Sequence, residues 1–263
     1  PPVVCRELGE HREECGILTM DEGSRIKRIE AKSWKGPQDH TTKSYTYSTI
    51  WEDYLCNNSV VQGMIKGKRI VNVGGGHGKE AESFLDKGAS SVVLIDIAKG
   101  QLLSAKLRII QKSISNLDLI CSDAEHLPIK TKSFDIGLVF MALHHFPDHD
   151  KAINEIIRIS HEIIFIDIMN CSLTKYLTKF GLFKKEWCGI EPNRINIDLI
   201  QSIFAKNNLS LEIQYYFIPP YYGKNLLISH LLFRLSRFFS ETFLFNPAIG
   251  NCFGNVAIIR GYR

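Results

Sequence analysis

Two hydrophobic periods share this chain. From residue 69 onward, short and nearly all-apolar runs recur: Arg69–Val73 (RIVNV), Ser91–Ile97 (SVVLIDI), Leu117–Cys121, Phe134–Phe140 (FDIGLVF) and Ile163–Ile168 (IIFIDI). Between them, at 79–87, 99–113 and 148–160, apolar residues return every three to four positions, as with Ile153, Ile156, Ile157 and Ile159. The first pattern predicts strands buried on both faces and the second amphipathic helices. Their alternation predicts an α/β fold, a parallel sheet covered by helices on both sides.

The flanks read differently. Residues 1–40 are polar and mixed in charge, which predicts an irregular arm. Tyr45, Tyr47, Trp51 and Tyr54, then Val60, Val61, Met64 and Ile65, predict one or two helices packed on the sheet, with the aromatics as core. After residue 170 the pattern loosens. Segment 172–187 sets Leu173, Tyr176, Leu177, Phe180 and Phe183 against Lys175, Lys179, Lys184 and Lys185. A helix is predicted at 195–206, a strand at Leu209–Ile218 ended by Pro219-Pro220, an amphipathic helix at 224–245 and a last strand at Val256–Arg260. Polar groups within 224–245 argue against a membrane span. The expected organisation is 1–66 arm and helices, 67–170 central core, and 171–263 the C-terminal part of the same domain, with insertions at 172–187 and 224–245.

A chain of 263 residues, 44% apolar and 23% charged, excludes collagen, coiled coil and wholesale disorder. The net charge of +4 is too mild to announce a nucleic-acid binder. Its distribution is uneven: net +1 over 1–69, −3 over 70–170 and +6 over 171–263. The seven cysteines (5, 15, 56, 121, 171, 188, 252) are odd in number and scattered. Reduced thiols in a cytoplasmic protein fit better than a disulfide framework. Cys5 and Cys15 lack a second close pair for a zinc knuckle. The N-terminal residues show no charged-then-apolar leader.

The first strand runs directly into Gly74-Gly75-Gly76-His77-Gly78 and then a helix. Glycines there allow a tight turn and close ligand approach, and the helix N-terminus behind them suits an anionic group. A P-loop fails, because Gly78-Lys79 has Val73 five places upstream and Glu80 next. The dinucleotide fingerprint fits at Gly74 and Gly76, but its third glycine is Lys79. What remains is Gly-x-Gly-x-Gly at 74, 76 and 78, suited to a ligand with a small charged end.

This loop resembles motif I of the class I S-adenosylmethionine-dependent methyltransferases. Further features follow in that family's order. Asp96 ends the second strand, 22 residues after Gly74; Asp123-Ala124 follows the third; and Phe140-Met141-Ala142-Leu143-His144-His145-Phe146-Pro147-Asp148 follows the fourth. The last run is similar to the branch containing the quinone-biosynthesis methyltransferases, often termed methyltransferase type 11. The resemblance implies a Rossmann-like, mostly parallel seven-stranded sheet and S-adenosyl-L-methionine as cofactor. It implies cofactor-binding roles for Asn72, Gly74, Gly75, Gly76, Gly78, Asp96, Ile97, Asp123, Ala124, Phe140 and Met141. Asp96 would meet the ribose hydroxyls, Asp123 the adenine amino group, and the N–H of Ala124 a ring nitrogen. Asp96 could equally cap the following helix, and Asp123 start a turn. Asn72 departs from the family, which usually has Asp or Glu there.

Methyl transfer from a sulfonium is an in-line displacement that the protein mainly aligns. A base is needed only if the acceptor must lose a proton, and His145, then His144, are the candidates. Otherwise one packs on the cofactor's methionine part and the other caps the next helix. No metal is expected: His144, His145, Asp148 and His149 are crowded and lack a distal ligand. The expected function is methyl transfer to a small or lipid-like acceptor. Alternatives are an RNA or protein methyltransferase and a non-catalytic protein of this fold. Segments 172–187 and 224–245 read either as a cap over a hydrophobic acceptor that touches an anionic membrane surface, or as core helices or a homodimer interface.

Overall fold

The computed structural model describes residues 27–28, 47–168, 195–218 and 225–263. Its centre is a seven-stranded sheet in the order β3-β2-β1-β4-β5-β7-β6. The strands are β1 (Arg69–Val73), β2 (Ser91–Asp96), β3 (Leu117–Cys121), β4 (Phe134–Phe140), β5 (Ser160–Ile168), β6 (Ser210–Tyr216) and β7 (Val256–Tyr262). The first five pair in parallel, and β7 lies antiparallel between β5 and β6. The chain order reverses at β1, whose neighbours are β2 and β4. That leaves a crevice at the C-terminal ends of these strands.

The helices are α1 (Tyr47–Cys56), α2 (Ser59–Ile65), α3 (Lys79–Asp86), α4 (Lys99–Lys112), α5 (His149–Ile159), α6 (Ile197–Lys206), α7 (Leu226–Phe243) and α8 (Pro247–Phe253). The period-2 alternation of β5 divides the core: Ile163 and Phe165 enter one cluster with α5 and α6, while Ile164 and Ile166 enter the other with α1 to α4. Trp51 is buried there against Tyr54, Tyr216 and Phe233, as the core reading of those aromatics anticipates.

Boundaries agree within a few residues. β5 starts at Ser160, three residues before the expected Ile163, because its register pairs Ser160 with Phe134. Two elements have no counterpart in the sequence reading: a 3₁₀ turn at Leu143–His145 and α8. The start signal of α8 is present: the Asn246 side chain accepts from Ala248 N (2.9 Å), and Pro247 occupies the first turn. Segment 172–187, Tyr45, Cys5 and Cys15 lie outside the described residues.

Candidate functional site

The glycine loop is shaped by its neighbours. Gly74 N and Gly75 N both donate to Ile95 O (2.7 and 3.2 Å), folding the loop over the end of β2. Gly74 has φ +72°, and a Cβ there would stand 2.6 Å from the Ala142 Cβ, so only glycine fits. Gly78, also left-handed (φ +80°), precedes α3, where a Cβ would press on Leu94 and Ala105. Close packing of this helix is thus served by Gly78, one place before Lys79.

Asp96 braces the loop. Its Oδ2 accepts from Gly76 N (2.9 Å) and its Oδ1 from Ala98 N (2.8 Å). Ala98, not Asp96, is the cap position of α4. Asp96 also lines the adjoining cavity.

This cavity, about 180 Å³, sits at the C-terminal edge of the parallel strands. It is lined by Gly74, Gly76, Asp96, Ile97, Asp123, Ala124, Met141 and His145 among the expected residues. Asn72, Gly75, Gly78, Phe140 and His144 do not line it. Asn72 is nonetheless fully buried under the loop, where a Cβ on Gly75 would meet its Nδ2 at 2.7 Å. Both side-chain polar atoms of Asn72 lack a hydrogen-bond partner, as does Oε1 of Gln101, which also lines the cavity. Native interiors rarely leave such atoms unpaired. Of these, the Gln101 acceptor is on the cavity wall and fits a ligand that carries hydroxyl or amine donors. Gln101 is absent from the sequence reading; its signal is a polar residue on the inward face of α4, five positions after Asp96.

At the other end, Asp123 does start a turn, its Oδ1 accepting from Glu125 N (3.0 Å). It is also ion-paired. Lys27 reaches in to Asp123 Oδ2 (2.8 Å) and Glu125 Oε2 (2.5 Å) and joins the cavity wall. Burial disfavours both charges, but the mutual hydrogen bonds and attraction win, so the Lys27 pKa is raised and that of Asp123 lowered. Asp123, Glu125 and His126 approach one another closely enough to suggest a cation site, yet the Lys27 ammonium already pairs with both carboxylates. Nothing local in the arm reveals Lys27.

The run after β4 turns sharply. Met141 takes φ +49°, a left-handed conformation that costs energy for a side chain of this size. His145 faces the cavity, and its ring lies on that of His144, 4.1 Å between centroids. His144 points elsewhere: its Nδ1 meets Asp167 Oδ1 at 2.5 Å, and its backbone N donates to Asp167 Oδ2 (3.2 Å), all buried. Neither histidine caps α5. The Asp148 side chain does, accepting from Lys151 N (3.1 Å). His149 is buried beside this pair with Nε2 unpartnered, and burial pushes its pKa down despite the nearby Asp167 charge. After Gln101 and Lys27, Asp167 is the third residue missed by sequence reading.

A second cavity, about 640 Å³, lies at the β6 edge, lined by Tyr54, Asn58, Gln214, Tyr216, Arg237 and Glu241. Its polar groups largely bond one another, as in Tyr54–Glu241 (2.6 Å) and Asn58–Tyr216 (2.7 Å). No residue of α7 lines the first cavity.

Comparison with known proteins agrees with this geometry. Residues 71–162 match the methyltransferase domain family. The ubiquinone biosynthesis O-methyltransferase of Neisseria meningitidis serogroup C is 29% identical over 132 residues, 49% of this chain and 53% of that protein. The demethylmenaquinone methyltransferase of Renibacterium salmoninarum is 31% identical over 98 residues, 37% of this chain and 39% of that one. The chain therefore spans about half or less of these relatives' length. Among solved structures, the magnesium protoporphyrin IX methyltransferase of Synechocystis shares the fold with a TM-score of 0.59 at 14% identity, over 92% of this chain and all of that one. Residues 71–162 are thus similar to the methyltransferase domain family, and the seven-stranded, mostly parallel sheet around them has the Rossmann-like fold of a class I S-adenosylmethionine-dependent methyltransferase.

Proposed function

We propose that this protein transfers a methyl group from S-adenosylmethionine to a small or lipid-like acceptor. One observation carries the reading: a single cavity brings together the glycine cradle, Asp96, Asp123 and His145 at the strand switch point. The cofactor would supply a sulfonium-activated methyl group. The chain's own residues do the rest. Backbone N–H groups of the loop and the Gln101 amide would hold the methionine end, with Asn72 supporting the loop from beneath. The Asp96 carboxylate, on the cavity wall, would accept from ribose hydroxyls. Asp123 and the N–H of Ala124 read the base edge, with Ile97 and Met141 as apolar walls, while Gly75 and Gly78 admit the close approach of the loop and Phe140 supports it from the core. His145 orients the acceptor and takes its proton when it carries one. His144, turned onto Asp167, supports the His145 ring and does not itself receive the proton. The quinone-biosynthesis relatives favour a hydrophobic acceptor over RNA or protein.

Calorimetry with S-adenosylmethionine tests the cradle. Saturable binding below millimolar cofactor is expected, and no heat at millimolar concentration would favour a non-catalytic protein of this fold, the alternative that uncharged Asn72 keeps open. Methyl-labelling of lipid, small-molecule and RNA fractions then assigns the acceptor. With that acceptor, His145→Ala should lower turnover by about 10²-fold and leave cofactor affinity nearly unchanged; unchanged turnover removes the base role.

A further inference from the structure

Helix α7 is built inside out. Its body-facing side carries Ser229, Ser236 and Ser240, at most 6% exposed. Its outer side carries Leu227, Leu231, Leu235 and Phe238, exposed by 56–79%. These four follow one another at spacings of four, four and three, which aligns them in one stripe over three turns.

The serines explain why the helix cannot turn over. Phe217 follows the last β6–β7 pair, Tyr216 with Val256, and has no ladder partner. Ser236 donates its hydroxyl to Phe217 O, and Ser240 Oγ accepts from Phe217 N at 3.0 Å. Ser240 also donates to Ser236 O and Ser229 to Asn225 O. Phe233 and Phe239 on the same side pack on Trp51 and Phe217. Rotating the helix to bury its outer leucines would orphan the Phe217 backbone and empty the aromatic cluster. The stripe stays outside, and a contiguous apolar surface of this kind marks an interaction site.

The charge beside it selects the occupant. His230, Arg234 and Arg237 form the row along one edge of the stripe. The only carboxylate of α7, Glu241, is taken by Arg237 (2.9 Å) and Tyr54 (2.6 Å). Arg234 makes no ion pair among the described residues. A second copy docked about a two-fold axis would set this basic edge against its own likeness. Anionic lipid headgroups complement it. No helix among the described residues is long and apolar enough to cross a membrane, so the stripe fits a helix lying in the plane of the interface.

We propose that α7 docks this protein on the surface of an anionic lipid bilayer, with Leu227, Leu231, Leu235 and Phe238 at the acyl boundary and Arg234 among the headgroups. The test is co-sedimentation of the full chain with phosphatidylcholine vesicles, with and without about one-third phosphatidylglycerol. Binding is expected to the anionic vesicles and to weaken with salt. The Leu231→Ser/Leu235→Ser/Phe238→Ser variant should lose binding by at least about tenfold, and Arg234→Glu should weaken it several-fold. Unchanged thermal melting and unchanged S-adenosylmethionine binding show that these variants are folded, independently of the vesicle result. No sedimentation of the wild type, or sedimentation equal in the triple variant, overturns the proposal. Concentration-dependent dimerisation that the triple variant abolishes, without vesicle binding, also overturns it and assigns the stripe to a second copy.

Discussion

The two walls of the cavity are built by different means. On the β1–β2 side, shape does the work: Gly74, Gly75 and Gly78 let the backbone close on Ala142, Asn72 and Leu94, where any Cβ would collide or press. On the β4–β5 side, buried ionisable groups do it: Asp167 binds the His144 ring and backbone, and His149 lies against them. The first wall is made of missing atoms and tolerates no additions. The second is made of polar atoms and tolerates no deletions.

Asp167→Ala is the strongest way to break this contrast. It leaves His144 Nδ1 and the N–H groups of His144 and Ile168 without their buried acceptor. Urea denaturation should show a loss of about 3–5 kcal/mol, and a loss below 1 kcal/mol would place the strength of this wall elsewhere. Next comes Gly74→Ala, which combines a left-handed alanine with the clash at Ala142. It should cost about 2 kcal/mol and weaken cofactor binding by more than tenfold, read by melting and calorimetry on one sample. Asn72→Leu runs the other way. Removing an amide with both polar atoms unpaired should raise stability by about 1 kcal/mol, while cofactor affinity falls. A variant that gained stability and kept its affinity would take Asn72 out of the site. The smallest effect is one of pH. Below the ordinary histidine value of 6.5, the unfolded chain takes up a proton at His149 that the folded chain resists. Stability should therefore fall as pH drops below about 6.5, and His149→Phe should flatten that slope by under about 1 kcal/mol.

The same contrast explains what could be read in advance. Strands and glycines are local signals. Hydrophobic period and an unbroken Gly run place β1 to β5, the cradle and Asp96 without knowledge of any long-range contact. Pairing is not local. Asp167 meets His144 across 23 residues, and Lys27 reaches Glu125 across 98, with no mark on either partner. Sequence could nominate both histidines, but only the three-dimensional arrangement separates the one in the cavity from the one turned onto β5. α7 is a third case. Its periodicity offers two apolar stripes, Leu232–Phe233–Phe239 and Leu227–Leu231–Leu235–Phe238, and hydropathy alone does not choose between them. The hydroxyl contacts with Phe217 choose.

The pairing of Tyr216 with Val256 bears on how such a protein diversifies. Residues 217–255 leave and re-enter the sheet at two adjacent points, held by Asn255 N to Tyr216 O (2.9 Å). A connection whose ends are already clamped together costs little more entropy when lengthened, because loop closure grows only with the logarithm of its length. This position therefore behaves as an insertion port. A short hairpin or a long helical cassette can occupy it with the β6–β7 register unchanged. The port opens on the edge of the sheet away from the cradle, so the two regions can change at separate rates.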